Sequence, residues 1–399
     1  MILLFSGCNL SPLLFSLFIS NLGPQLNNKG FGIDLESLNI GAIFFADDIV
    51  VIGRSERALN DLMEITKRFF STHHLELSEK KSKVIGHNAV TGQITFKGAA
   101  DDFLTLEEVL SYKYLGIPVC SSPYNLFKKY NEQVKTRAKA YLASILSLVK
   151  TGPDRSELAF TLWSCCALPS ILYGCEIMPL TQATISEIEK CQSQVGKFML
   201  QIPRSSASVS VSIDAGLRPV WAHIAEKTLL YASSLMRKSE DFWPRIAMNV
   251  NLALGFKSPY TRHLLKWKSV TNSSLLSVKA MKKSVHDAAV HDVITQQQKH
   301  FTTTFAMNLP DAVYGTKWFK PKPWVSDSSR SKILSRFRAC NASLGNRGPT
   351  KDGQYFPLCP LCAKKGDDAL NNEVTFVSCW IGLLNKYLVH TSAINTQLS

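Results

Sequence analysis

Residues 43–52 form an almost continuous apolar run that is interrupted by Asp47 and Asp48. The residues on both sides are β-branched or aromatic, so each side is predicted to be a strand. Within one straight strand the two carboxylates would point to opposite faces, and one of them would lie in the core. A tight turn at Ala46-Asp47-Asp48 avoids that burial. The pattern therefore predicts a buried hairpin with both carboxylates at its tip, which is a good place to hold Mg²⁺. The alternative is an ordinary acidic turn.

Helices and strands alternate in the first third of the chain, and helices dominate afterwards. Ser11-Pro12 predicts a helix N-cap and first position, with a well-buried helix to about Leu26. Ser55 predicts the start of an amphipathic helix that ends near His73. The remaining strands are predicted at 31–36, 39–45, 75–77, 84–85, 93–97 and 114–119. The remaining helices are predicted at 124–148, 155–178, 181–201 and 219–238.

The basic charge of the chain is concentrated in its C-terminal part. The 399 residues carry a formal net charge of +14. Residues 251–399 contain 20 Lys+Arg and 8 Asp+Glu, a balance of +12. This asymmetry suggests a polyanion partner, most simply nucleic acid. Aromatic side chains among these charges could stack on unpaired bases, although each could also belong to the core: Trp267, Trp318, Phe319 and Trp324.

The cysteines and the N-terminal residues indicate in which cellular compartment the protein is expected. Seven cysteines are scattered without the spacing of a secreted disulfide framework, so they are interpreted as reduced core thiols. The apolar stretch from Met1 to Leu22 lacks a basic region before it, and Asn9 and Pro12 interrupt it. It is therefore not predicted to be a signal or an anchor. We expect an intracellular protein, nuclear or cytoplasmic, with no membrane partner.

Three further segments accompany the carboxylate hairpin: Gly7-Cys8-Asn9-Leu10-Ser11-Pro12, Leu75 to Lys83, and Tyr112 to Ile117. In this order and spacing the chain resembles the palm of reverse transcriptases from non-LTR (LINE-like) retrotransposons. Residues 167–176 also resemble the thumb segment of those proteins. The resemblance implies an α+β fold: a partial polymerase palm, with an antiparallel sheet and packed helices, followed by a helical thumb and a small Cys-containing C-terminal region. The expected domains are a partial palm at 1–118, a helical thumb at 119–245, a basic connector at 246–330 and a zinc-knuckle-like region at 331–399.

The resemblance also implies a site and its ligands. Asp47 would ligate both Mg²⁺ (or Mn²⁺) ions of a two-metal reaction, and Asp48 would be the weaker ligand. Lys81 would lie near the departing pyrophosphate, and Tyr114-Leu115-Gly116 would form the primer grip. Gly7 and Ser11 would lie near the template and the incoming nucleotide. The implied partners are an RNA template, a DNA primer and dNTP. For Lys81, Gly7, Ser11 and the Tyr114 turn, a plain exposed lysine, a cap or a simple turn is the alternative.

The start of the chain departs from the family pattern. Relatives have a further metal-binding Asp before the Gly-Ser-Pro segment, whereas Met1 to Ser6 contain no acidic residue. We therefore expect an N-terminally truncated homologue that is inactive alone. The alternative is a catalytically dead nucleic-acid-binding remnant, and a purely structural protein fits the charge asymmetry poorly.

The C-terminal cysteines resemble a Cys-Cys-His-Cys zinc knuckle. Cys359 and Cys362 form a CxxC pair, and Cys379 follows. Four N or S ligands are needed for tetrahedral Zn²⁺, but no His lies shortly before Cys379. His390 would have to replace it. The alternative is a decayed site with free thiols.

Overall fold

The protein is described by a computed structural model. The described residues are 10–27, 30–36, 38–86, 92–97, 103–150, 155–200, 202, 204, 208, 211, 215–273 and 277–298. They divide into two compact units. Unit 1 takes its residues from 1–137, 172–185 and 223–286, and unit 2 from 138–171, 186–222 and 287–399.

The first predicted helix is two helices, α1 (Ser11–Ile19) and α2 (Leu22–Asn27). The helix is interrupted after Ile19, where the Ser20 hydroxyl bonds back to the Leu17 carbonyl at 2.6 Å and competes with the helical ladder. The N-cap is Leu10 rather than Ser11. The expectation of a well-buried helix is wrong for one face, because Leu13 and Leu17 are 66 % and 69 % exposed.

Two antiparallel hairpins follow: β1 (Ile33–Leu35) with β2 (Leu38–Ile40), and β3 (Ala42–Phe45) with β4 (Asp48–Val51). The start of β3 is fastened to the end of α2. The Asn27 side-chain oxygen accepts the backbone N–H groups of Gly41 and Ala42 at 2.7 and 2.9 Å. A Cβ at Gly41 would lie 2.4 Å from the Leu26 carbonyl oxygen, so only glycine allows this approach.

Helix α3 (Glu56–Thr72) packs on two clusters of buried side chains. Its predicted cap is present, since the Ser55 hydroxyl accepts the Ala58 N–H at 3.2 Å. One cluster contains Ile19, Leu22, Leu26, Ala42, Leu62 and Phe69. The other contains Met63, Val84, Phe96, Leu104 and Leu106. The α3 helix therefore joins the carboxylate hairpin to the next sheet.

That sheet has the order β5-β7-β6, from β5 (Lys83–Val84), β6 (Gly92–Lys97) and β7 (Phe103–Glu108). Strands β6 and β7 are antiparallel, but β5 and β7 are parallel. A last hairpin pairs β8 (Ser111–Tyr114) with β9 (Ile117–Cys120). The described strands thus form four small sheets rather than one antiparallel sheet, within a mixed helix-and-sheet fold of the α+β kind. The strand predicted at 75–77 is absent. The Leu75 N–H bonds back to the Phe70 carbonyl at 2.9 Å and His74 has a left-handed φ of +54°, which together end α3, and residues 75–78 then form no strand.

The remaining described chain is helical. The elements are α4 (Pro123–Leu148), α5 (Arg155–Thr161), a π-helical turn (Leu162–Ala167), α6 (Leu168–Ile171), α7 (Gln182–Met199), α8 (Val220–Met236), α9 (Trp243–Ala253), a 3-10 turn (Gly255–Lys257), α10 (Pro259–Thr271) and α11 (Val278–Gln298). None of the helices in the described part of the chain is long and apolar enough to cross a bilayer.

Some cysteines differ from their predicted burial, and Trp267 takes the core position that was the alternative to base stacking. Cys175 and Cys191 are buried as predicted, but Cys165 and Cys166 are exposed. They lie in the π-helical turn, whose buried positions are Trp163 and Ala167, so they are not core thiols. Trp267 was a candidate for base stacking, but it is 3 % exposed and its ring meets the His263 ring edge-on at 6.0 Å. It belongs to the core.

Candidate active site

The predicted turn is present at the tip of the β3–β4 hairpin. Phe45 pairs with Asp48 across the two strands, which leaves Ala46 and Asp47 as the connecting residues. Ala46 takes a left-handed φ of +52°, which closes the loop. Asp47 and Asp48 are both exposed. The hairpin is not buried throughout as predicted, because Ala42 faces the core while Ile43 and Phe45 are exposed.

Residues 79–81 form a turn before β5, and the two lysines here, Lys81 in the turn and Lys83 in β5, have different roles. The Lys83 ammonium pairs with the Glu107 carboxylate at 2.7 Å and joins β5 to β7. The Lys81 side chain is exposed, with no ion pair among the described residues. Its backbone is held from both sides, since its N–H donates to Ser78 O at 3.1 Å and its carbonyl accepts the Tyr112 hydroxyl at 3.1 Å. Lys81 is therefore a free cation on a fixed turn.

The turn between β8 and β9 is left-handed at both connecting residues. Leu115 has φ +47° and Gly116 has φ +81°, and Tyr114 pairs with Ile117 on either side. Two positive φ values match the twist of a two-residue hairpin. For a leucine this conformation costs about 1 kcal/mol or more, so the turn must be stabilised by its surroundings.

Side chains from beyond this hairpin hold the turn in place. The Tyr173 hydroxyl donates to the Leu115 carbonyl at 3.1 Å, and the Gln133 amide donates to the Gly116 carbonyl at 3.0 Å. Tyr173 is itself fixed, because its carbonyl accepts the Tyr130 hydroxyl at 2.9 Å. We call Gln133 and Tyr173 the turn clamp. No sequence pattern indicated a role for Gln133, and Tyr173 was predicted only as part of a thumb-like segment.

Tyr112 and Tyr114 both lie on β8, the strand that leads into the Leu115-Gly116 turn. Tyr112 reaches the Lys81 turn, as described above. The Tyr114 hydroxyl is buried and has no hydrogen-bond partner among the described residues. Burial raises the pKa of Tyr114, and the negative charge of Asp48 raises it further. The Tyr112 hydrogen bond joins the Lys81 turn to the strand that leads into the Leu115-Gly116 turn, and all three turns belong to unit 1.

The carboxylate tip suits a hard divalent cation. Mg²⁺ prefers oxygen ligands, and it is commonly held by one or two carboxylates together with waters and substrate phosphates. Asp47 and Asp48 supply that donor set in an exposed position. Within the described ranges, no three His, Cys, Asp or Glu side chains cluster closely enough to hold a metal. Within the described part of the chain, the tip therefore presents two carboxylates without a third acidic or imidazole ligand beside them.

Some predicted site residues are not described. Gly7 lies outside the described residues, and so do Cys359, Cys362, Cys379 and His390. The same holds for Trp318, Phe319 and Trp324. Ser11 is the first residue of α1.

Comparison with known proteins shows which protein family the region that carries this site resembles. A mixed fold that carries a two-carboxylate hairpin tip and an exposed lysine on a turn is compatible with a metal-dependent polymerase domain. A family model described as "Reverse transcriptase (RNA-dependent DNA polymerase)" matches residues 4–119. The predicted reverse transcriptase domain is thereby confirmed for that part of the chain. A search of curated proteins and a search of solved structures each gave no match.

Proposed function

We propose that residues 4–119 are palm elements of a non-LTR retrotransposon reverse transcriptase, whose reaction is RNA-directed DNA synthesis from dNTP. The observation that carries this proposal is the exposed Asp47-Asp48 tip, which lies in the matched region together with the Lys81 turn. Nucleotidyl transfer needs carboxylates that hold two metal ions and a cation near the leaving group.

Each residue has a role in this proposal. Asp47 would hold both ions, and Asp48 would be the weaker ligand. Bound Mg²⁺ or Mn²⁺ would activate the primer 3′-hydroxyl and neutralise the triphosphate. Lys81 would either donate a proton to the departing pyrophosphate or stabilise its negative charge. The Leu115-Gly116 turn would place the primer end, because its backbone is fixed by the turn clamp. Gly7 and Ser11 would lie beside the template.

We further propose that this chain alone does not extend a primer. Within the described residues, no third acidic side chain joins Asp47 and Asp48 to complete a metal site. Loss of one oriented charged group from such a site commonly costs several kcal/mol in the transition state. The assay is primer extension on poly-rA/oligo-dT with Mg²⁺ or Mn²⁺. Robust synthesis that disappears in Asp47→Ala would overturn the inactivity and confirm the polymerase site.

Metal binding tests the site independently of activity. We expect the chain to bind Mn²⁺ weakly, and Asp47→Asn to reduce that binding as measured by electron paramagnetic resonance. Glu240→Gln is the matched control, because Glu240 is a highly exposed carboxylate on another part of unit 1. Equal Mn²⁺ binding by Asp47→Asn and Glu240→Gln would refute the metal role of the tip.

The second candidate is a nucleic-acid-binding remnant without catalysis. It is favoured by the absence of a three-carboxylate cluster in the described part of the chain. The two candidates differ in the role of metal: a remnant would bind a primer–template duplex equally well with Mg²⁺ and with EDTA. A polymerase site would place the primer end more tightly when Mg²⁺ and dNTP are present.

A further inference from the structure

The helices that follow the matched domain contain a long stretch without acidic residues. Between residues 242 and 286 the chain has no Asp or Glu. It has eight Lys or Arg residues in the same interval: Arg245, Lys257, Arg262, Lys266, Lys268, Lys279, Lys282 and Lys283. All but Arg245 are exposed. Two of these cations are paired with carboxylates from outside the stretch, Arg245 with Glu240 at 3.3 Å and Lys282 with Glu226 at 4.0 Å. The other six give the stretch an excess of positive charge that attracts a polyanion.

The turn between α9 and α10 adds an exposed aromatic ring to this charge. Phe256 is 72 % exposed, and Leu254 two residues earlier is 53 % exposed. The Arg262 guanidinium donates to the Phe256 carbonyl at 2.6 Å, which fixes the ring-bearing backbone next to a cation. Lys257 is adjacent in sequence, and Lys266 lies one helical turn beyond Arg262 on the same face of α10. We call Phe256, Lys257, Arg262 and Lys266 the basic turn surface.

The cations of the basic turn surface are not paired with carboxylates of the described residues. None of Lys257, Arg262 and Lys266 forms an ion pair with another described residue, and Lys266 lies over the Trp267 ring at 4.5 Å. In contrast, Arg68 and Lys190 are paired with Glu64 and Glu187 on their own helices. Free cations beside an exposed ring have the composition of surfaces that contact phosphates and stack on bases.

We propose that the basic turn surface binds single-stranded nucleic acid, with Phe256 stacking on a base while Lys257, Arg262 and Lys266 contact phosphates. This surface lies outside the residues that match the reverse transcriptase family. The choice of nucleic acid as the polyanion rests on the proposed function, since the same chain carries a reverse transcriptase domain. Single strands are favoured over duplex because only unpaired bases expose a free ring face to Phe256.

The test uses the full chain and a labelled oligo-dT of about 20 nucleotides, followed by fluorescence anisotropy. Phe256→Ala should weaken single-strand binding by roughly ten-fold and leave duplex binding nearly unchanged. The triple variant Lys257→Gln, Arg262→Gln, Lys266→Gln should reduce the slope of log affinity against log salt by about 2, from three lost phosphate contacts to a single strand. The matched control is Arg68→Gln with Lys190→Gln, which removes paired cations elsewhere and should change neither quantity.

The outcomes separate this surface from the proposed function. If the triple variant and Phe256→Ala bind like the control, the basic turn surface is refuted, whatever Asp47→Asn does to Mn²⁺ binding. If surface variants lose single-strand binding while Asp47→Asn leaves Mn²⁺ binding unchanged, the surface stands and the polymerase site fails. Binding to phosphatidylserine vesicles that depends on Phe256, without binding to oligo-dT, would overturn the nucleic-acid assignment in favour of a membrane surface.

Discussion

Gly116→Ala should destabilise the β8–β9 hairpin by an amount that the structure allows us to divide into two parts. The first part is backbone strain, since φ at Gly116 is +81°. A left-handed conformation costs an L-residue about 1–2 kcal/mol. The reduced entropy of the unfolded chain offsets about 0.4–1 kcal/mol of this. The net strain is therefore about 1 kcal/mol.

The second part comes from the turn clamp. An alanine Cβ at this position would lie 3.3 Å from the Cε1 atom of Tyr173, so the ring must move by a few tenths of an ångström. The same ring carries the hydroxyl that bonds to Leu115 O, and its displacement weakens that hydrogen bond. A weakened hydrogen bond and tighter packing add about 1 kcal/mol. The expected total for Gly116→Ala is about 2 kcal/mol, which is roughly 30-fold in the local opening equilibrium.

Native-state hydrogen exchange of peptides covering residues 111–120 measures this opening. Gly255→Ala is the matched control, because Gly255 has φ +57° but nothing within 4 Å of its added Cβ, so it should show the strain part alone in its own peptide. In the Tyr173→Ala background, Gly116→Ala should likewise fall to the strain part. If Gly116→Ala has the same effect with and without the Tyr173 ring, the clamp does not support this turn and our reasoning is wrong.

Three further predictions concern titration and metal. In unit 2, burial and then the nearby Asp292 together raise the pKa of Glu189 to about 7, although hydrogen bonds from the N–H groups of Val220 and Trp221 lower it. Because the unfolded group titrates near 4.5, the folded state loses stability as pH rises from 4.5 to about 7. Glu189→Gln should therefore remove up to about 3 kcal/mol of pH dependence in urea unfolding, and an unchanged profile would refute this. In unit 1, burial lowers the pKa of His263 to about 4 from 6.5, so stability is lost as pH falls through that range. His263→Gln should remove part of the loss in unfolding free energy that occurs as pH falls from 6.5 to about 4. If the substitution instead removed a loss that occurs as pH rises, which is the sign expected of Glu189, the assignment to His263 would be contradicted. Finally, if His390 completes the zinc site, protein purified under reducing conditions should contain about one Zn²⁺ per chain, and Cys359→Ser should release it; elemental analysis without zinc would favour a decayed site.

The sequence predicted the parts of the site that depend on local chemistry. The hairpin at Ala46-Asp47, the Ser55 cap and the turn at Leu115-Gly116 follow from residues that are adjacent in the chain. Sequence patterns of this kind report the local backbone and the side-chain period. They were sufficient to identify the reverse transcriptase resemblance that the family match confirms for residues 4–119.

The features that sequence did not predict depend on contacts between distant segments. Gln133 donates to a carbonyl 17 residues away, and Tyr173 to one 58 residues away. Nothing about a glutamine on a helix indicates such a partner. Burial was misjudged for the same reason: Leu13 and Cys165 are exposed although both were predicted to be core, because burial depends on which neighbours the fold brings to each position.

The turn clamp also affects where this domain can be cut. The family match ends at residue 119, yet the hydrogen bonds that fix the Leu115-Gly116 turn come from Gln133 and Tyr173. A fragment that stops at the family boundary would leave a strained leucine turn without either donor. We expect such a fragment to fray at its last hairpin. A recombinant fragment meant to preserve the Leu115-Gly116 turn should instead contain both clamp residues and Tyr130, whose hydroxyl bonds to the Tyr173 carbonyl.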